Sequence, residues 1–200
     1  MSLVNEVFAA WGNPRAAMAR RLDAGDGEER ALFYLMVALT IQAVASLPET
    51  VMLAGQAGSP EDEIGPLTFA SFTFRIIVGA LVMYALGAAA HGVARLFKGQ
   101  GSWFGARLAL FWSLFSAAPF YLLAGGILAV ALVLNVPVLV EGAWILGIAA
   151  QLVFLWVWAG SIAEVEGFRR PFVVALVIGG IVLVVLVVFA VTSGGGSGIA

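Results

Sequence analysis

One stretch of the chain concentrates both charge and conformational freedom. Residues 95–107 read RLFKGQGSWFGAR, with the cations Arg95, Lys98 and Arg107 interleaved with Gly99, Gly101 and Gly105. Glycine-rich turns bring backbone N–H groups close to an anion, and cations complete a phosphate site. The spacing here is Gly-x-Gly-x-x-x-Gly, one residue off the dinucleotide fingerprint, and no strand precedes it. The Gly-Lys-Ser/Thr ending of a P-loop is also missing. The segment therefore reads as a tight turn between two apolar runs. Its cations suit the phosphate of a lipid headgroup, and so do Arg169 and Arg170 further along the chain.

Other residues that could do chemistry are few. His91 lies one helical turn before Arg95, and Glu164 closes a later apolar run, so a packing contact joining spans two and four is expected there, with a titratable His91–Glu164 hydrogen bond as the alternative. Arg75 and Glu141 fall at the edges of two runs, where Arg75 can snorkel and take Glu141 as its partner. Gln42 and Gln151 fall near the middle of their runs, where buried amides join helices by hydrogen bonds. Cysteine is absent and His91 is the single histidine, which excludes thiolate chemistry and His-rich metal sites. The acidic triplet at 61–63 reads as a solvated loop, and Ser161 has no histidine near it in sequence. Neither enzymatic activity, cofactor, metal nor nucleic-acid partner is expected. No carboxylate sits at mid-span, where an ion-coupled transporter would need one.

The elements that must position these residues are set by composition. Hydrophobic residues make up 62% of the 200, charged residues 11%, and mean hydropathy is +1.04. A water-soluble domain carries about a quarter charged residues, so the bilayer is the natural solvent. The apolar runs are continuous and lack the two-residue alternation of barrel strands. The expected fold is all-α: a polytopic helical membrane protein with five transmembrane helices at about 31–47, 75–94, 105–130, 143–163 and 172–191. Pro48 stops the first span, and Asp26 is expected to cap its start. Ser102 caps the third, which Pro119 kinks or tilts without dividing it. Residues 67–74 are assigned to the membrane interface. Small residues at Gly79, Gly87, Ala88 and Gly92, and at Ala143 and Gly147, mark expected close helix approaches.

Residues 1–30 form a short amphipathic cytoplasmic segment without the apolar core of a secretory signal. Within it Asn13 caps and Pro14 opens a helix whose arginines are expected to lie along anionic headgroups. A flexible Gly/Ser tail is expected at 192–200. Nine of the ten Lys and Arg fall before span one, between spans two and three, or between spans four and five. The positive-inside rule then places the N-terminus in the cytoplasm and the C-terminus outside. A single lysine among ten basic residues fits a GC-rich bacterial genome, hence a bacterial inner membrane.

Two longer segments, GQGSWFGARLALFWSLFSAAPFYLLAGG and WVWAGSIAEVEGFRRPFVVAL, resemble the Yip1 family of five-span membrane proteins. The first is similar to the family's glycine-containing inner loop and proline-broken third helix, the second to its fourth helix and acidic-then-glycine turn. The resemblance implies a non-enzymatic membrane protein that organises lipid or protein partners, self-association included. Eukaryotic members bind Rab-type GTPases through a longer N-terminal region with an Asp-Leu-Tyr-Gly-Pro motif. The segment before span one lacks that motif, so Rab binding and individual functional residues are not carried over. The alternative reading is a small-solute channel or transporter, for which Pro119, Gly125-Gly126 and the His91–Glu164 pair are the main support.

Overall fold

The computed structural model describes residues 2–169. The expected fifth span at 172–191, the tail at 192–200 and Arg170 lie outside the described residues. Within them the chain is helical throughout and forms no strand. The elements are α1 (Leu3–Gly12), α2 (Pro14–Asp23), α3 (Glu28–Ala45), α4 (Leu47–Gln56), α5 (Glu61–Leu96), α6 (Trp103–Leu134) and α7 (Pro137–Val165). Four stretches are long and apolar enough to cross a bilayer: Glu28–Gln56, Glu61–Leu96, Trp103–Leu134 and Pro137–Val165, with mean hydropathies of 1.8 to 2.2.

α6 is the central helix and packs against α3, α5 and α7. Ala106, Leu108, Leu110, Phe111 and Trp112 are wholly buried, so the helix is enclosed on most sides there, as suits a helix that is apolar all round. Pro119 leaves it as one helix of 32 residues. Near its far end Gly125 meets the backbone of Ala45, where any side chain would collide. The outward faces stay apolar. Leu81 and Ile145 are each 67% exposed, which suits contact with lipid chains.

Several boundaries differ from expectation. α5 begins at Glu61, so residues 67–74 belong to the helix and not to an interfacial segment. Pro66 lies inside it as the sixth residue, where its missing N–H leaves the Asp62 carbonyl without its intrahelical donor. Pro48 does not stop the chain's helical course: it occupies the first turn of α4, the position at which a missing N–H costs least. The interruption falls at Ser46, whose hydroxyl donates to the Ala43 carbonyl at 2.8 Å. Asp26 does not cap α3; Gly27 takes that position without a side-chain bond. Asn13 and Ser102 do cap their helices, accepting from Ala16 N–H and Gly105 N–H at 3.1 and 3.0 Å. Of the expected close approaches, Gly79 and Gly87 face neighbouring side chains, whereas Gly92 and Gly147 border open space.

The N-terminal pair α1–α2 is docked onto the bundle. Met18 and Ala10 are fully buried, and Pro14 lies against Gly160 of α7. The Trp11 indole N–H donates to the Ser116 carbonyl at 2.9 Å, and the Trp156 indole donates to the Trp11 carbonyl at 3.1 Å. Ser116 is about 20 Å along α6 from its start. The hairpin thus reaches well into the apolar level of the bundle, with Val4 and Phe8 still exposed on its outer face.

Candidate functional site

The starts of α3 and α6 and the ends of α5 and α7 meet at one end of the bundle, the arginine-rich end. α5 finishes there in a capping turn in which Gly99 N–H bonds the Ala94 carbonyl at 2.9 Å and Lys98 N–H bonds the Arg95 carbonyl at 3.1 Å. This geometry requires a left-handed residue after the cap, normally glycine. Lys98 occupies it, with φ of 63°.

Beyond that turn the loop closes around a carboxylate. Glu166 caps α7 and its side chain is fully buried. Its Oε2 accepts from Gly101 N–H at 2.9 Å, and its backbone carbonyl accepts from Gln100 N–H at 3.1 Å. Its Oε1 shares a 2.8 Å hydrogen bond with Nδ1 of buried His91. An ionised carboxylate accepts at both oxygens, so the imidazole then donates from Nδ1. The glycines provide the room. A Cβ on Gly101 would stand 2.7 Å from Glu166 Cδ, one on Gly105 would stand 2.7 Å from Val165 Cγ1, and one on Gly99 would meet Glu166 Oε2. The turn that resembles a phosphate cradle therefore holds an internal anion.

The histidine's partner is Glu166 and not Glu164. Residues two apart at a helix end face different neighbours, and Glu164 instead accepts from Arg15 Nε of α2 at 2.9 Å. Of the three glycines only Gly101 gives its N–H to the carboxylate, since Gly99 N–H bonds the Ala94 carbonyl and Gly105 N–H bonds Ser102 Oγ, so the sequence carried no local signal for Glu166.

The expected headgroup cations divide into two kinds. Arg107 is occupied: it pairs with Glu28, its guanidinium lies 5.5 Å from the Tyr84 ring centroid, and its stem crosses Gly87. Arg95, Lys98 and Arg169 are exposed and form no ion pair among the described residues. They stand beside Leu96, Phe97 and Trp103, all strongly exposed.

The arginines of α2 also divide. Arg20 is exposed, but Arg21 is buried, so it does not reach headgroups. It pairs with Glu6, donates to Tyr34 Oη at 2.7 Å and lies 4.2 Å from the Trp112 ring centroid. Asp26 completes this cluster by accepting from Arg21, Tyr34 and Arg30 at 3.4, 3.0 and 2.6 Å.

Toward the opposite end lies a cavity of about 320 Å³ between α3–α4, α5, α6 and α7. Gln42 and Gln151 both line it, each about 21 Å along its helix from the arginine-rich end. Gln151 accepts from Tyr121 Oη at 2.7 Å, which joins α7 to α6. Arg75 borders the same cavity, but Glu141 does not; the carboxylate that shares it is Glu49. Arg75 meets only Ser71 Oγ, at 3.5 Å, and the expected Arg75–Glu141 ion pair is not formed.

No curated protein and no solved structure matches the chain. A family model described as the Yip1 domain matches residues 8–192, a span that takes in the glycine loop, both of its buried partners and all four membrane-length helices. With those helices it is an integral membrane protein, and the chain belongs to the Yip1 family.

Proposed function

We propose that the protein is a non-enzymatic organiser of the membrane, gathering anionic lipid at its arginine-rich end, which faces the cytoplasm of a bacterial cell. The observation that carries this reading is Lys98. It holds a left-handed backbone conformation that glycine would adopt without strain, and it does so on an exposed turn beside Arg95. Strain kept at an exposed cation argues for a use of the charge. Leu96, Phe97 and Trp103 surround it with apolar and aromatic surface, the composition that seats a turn in the headgroup layer. In this reading the buried His91–Glu166 pair and the buried Ser161 are structural.

The test is lipid analysis of the protein extracted in native nanodiscs, together with reconstitution in phosphatidylcholine vesicles doped with phosphatidylglycerol. Anionic lipid should be enriched around the protein. Each of Arg95→Ala and Lys98→Ala should reduce the enrichment by about fivefold, the worth of one basic residue at an anionic surface. Equal lipid composition around wild type and the double variant would refute the reading. The cavity near Arg75 favours a second reading, a small-solute channel or transporter; solute flux into liposomes above that of protein-free vesicles would support it.

A further inference from the structure

The cavity at the far end of the bundle is graded in chemistry along the membrane normal. Its inner part is lined by the amides of Gln42 and Gln151. Its outer part is lined by Arg75 and Trp144, each about 31 Å along its helix from the arginine-rich end, and by Glu49. That distance is the thickness of the hydrocarbon core, so the outer part is at headgroup level. Arg75 and Glu49 carry opposite charges into one cavity, yet they form no ion pair with each other or with any other described residue. Two opposite charges that line one cavity at headgroup level and are unpaired are each open to a charged group of a ligand.

Among the described residues the cavity is also open sideways. Gln151 is exposed although it sits midway along α7, and Trp144 is 54% exposed. A mid-span side chain that is open in a membrane helix faces the bilayer. An occupant therefore enters from the lipid phase, and its polar part must fit a volume at the lower end of the range for small-molecule sites.

We propose that this cavity binds the headgroup of a zwitterionic phospholipid carrying a primary ammonium, a phosphatidylethanolamine, from the leaflet opposite the arginine-rich end. Arg75 takes the phosphate, which suits the planar donors of a guanidinium. Glu49 accepts from the ammonium. Gln42 and Gln151 face the glycerol and ester oxygens below it, and Trp144 lies at the interfacial level that indole rings favour. This inference concerns a different end of the bundle and a different headgroup from the anionic-lipid reading above, so either can fail alone.

The experiment is native mass spectrometry of the purified full chain with phosphatidylethanolamine, phosphatidylcholine and phosphatidylglycerol in competition. Wild type should retain phosphatidylethanolamine in preference to the other two. Glu49→Gln should abolish the preference for the ammonium headgroup, and Arg75→Gln should lower retention of phosphatidylethanolamine on the order of tenfold, the loss of one charge-assisted contact. Gly147→Phe provides a second route, because a side chain there enters open space beside the cavity without a backbone clash. It should block binding, while Gly126→Phe, which also meets nothing but lies off the cavity, should leave binding intact. Equal retention of the three lipids by wild type would overturn the proposal. So would a phosphatidylethanolamine preference that survives both Glu49→Gln and Gly147→Phe. Tight binding of free phosphoethanolamine that phosphatidylethanolamine cannot displace would overturn the lipid source and identify a soluble zwitterion instead.

Discussion

The glycine loop makes a prediction whose sign depends on where an identical substitution is placed. Gly101→Ala adds one methyl group, and its carbon would lie 2.7 Å from Glu166 Cδ, 2.8 Å from Val165 Cγ1 and 2.9 Å from Glu166 Oε1. Those separations are too short for contact between heavy atoms, so either the loop or the carboxylate must move. Moving the carboxylate weakens the 2.9 Å bond from Gly101 N–H and the 2.8 Å bond to His91, each worth about 1.5–3 kcal/mol as a bond to a charged group. Moving the loop instead strains a packed region at about 1–3 kcal/mol. The chain will divide the distortion between the two, for a net destabilisation of about 2–4 kcal/mol. Gly92→Ala and Gly126→Ala lie inside helices with nothing within 4 Å of the added carbon. They should stabilise by about 0.5–1 kcal/mol through helix propensity. The assay is reversible unfolding of the full chain in mixed micelles with rising dodecyl sulfate, followed by tryptophan fluorescence and far-ultraviolet circular dichroism. A double-mutant cycle with Glu166→Ala isolates the contact, since residues that touch couple by about 0.5–3 kcal/mol. If Gly101→Ala is as harmless as Gly92→Ala, or if its cost is simply additive with that of Glu166→Ala, the loop does not fold around that carboxylate.

Four further outcomes follow from the same geometry. Lys98→Gly relieves a left-handed residue and should raise stability by about 1 kcal/mol in the micelle assay while lowering anionic-lipid enrichment about fivefold in nanodiscs. Asp26→Asn leaves buried Arg21 short of a counter-charge and should cost about 3–5 kcal/mol in the same unfolding measurement, with Arg21→Met plus Asp26→Leu recovering a large part of it. Gly125→Ala drives a methyl group into the Ala45 backbone and should cost more than any other Gly→Ala change in α6, as read by the loss of folded protein on heating in size-exclusion profiles. Reporter fusions near Gly101 should report a cytoplasmic location and those near Gly142 an external one; the same location for both would refute the proposed orientation.

The helices were legible because the physics that makes them is one-dimensional. A long apolar run needs no partner information to be assigned to lipid, and the caps at Asn13 and Ser102 are local hydrogen bonds within three residues. What local reasoning missed was set by contacts distant in sequence. Asp26 looked like a helix cap because an acidic residue beside a helix start usually is one; Tyr34 and Arg21 draw it inward instead. Arg107 looked like an interfacial cation, but Glu28 lies 79 positions away and no local rule brings the two together. The same holds for Glu164 and Glu166. Both were visible as acidic residues at the end of a helix; the docking of α2 gives the first to Arg15, and the end of α5 with its glycine loop gives the second to His91. The docking of the N-terminal pair onto the bundle was not legible for a related reason. An amphipathic helix can satisfy its apolar face against lipid or against protein, and the sequence does not distinguish those two surfaces.

The distribution of charge between the two ends bears on where the protein acts. At the arginine-rich end Glu6, Asp26, Glu28, Glu164 and Glu166 each have a partner within the chain. Most of these contacts join different helices: Arg21 ties α1 to α2, Arg15 ties α2 to α7, and Arg107 ties α3 to α6. Truncating one partner leaves the other unpaired, so the role of these groups is to fix how the helices meet. The cations left over, Arg95 and Lys98, are exposed at that fixed end, with Arg95 also donating to the Gly99 carbonyl at 3.4 Å. At the far end the pattern reverses. Arg75 and Glu49 form no ion pair among the described residues, although they line the same cavity. If they served only architecture, closing the pair would be the simpler arrangement, as the chain achieves at Arg15–Glu164 with a 2.9 Å contact. Their separation around an open volume is the arrangement expected of a site for an external molecule. A double substitution separates the cases. Arg75→Leu with Glu49→Leu removes both charges from a membrane-level cavity, so a purely architectural pair would leave stability unchanged or raised. A lipid site predicts the same stability together with loss of phosphatidylethanolamine retention.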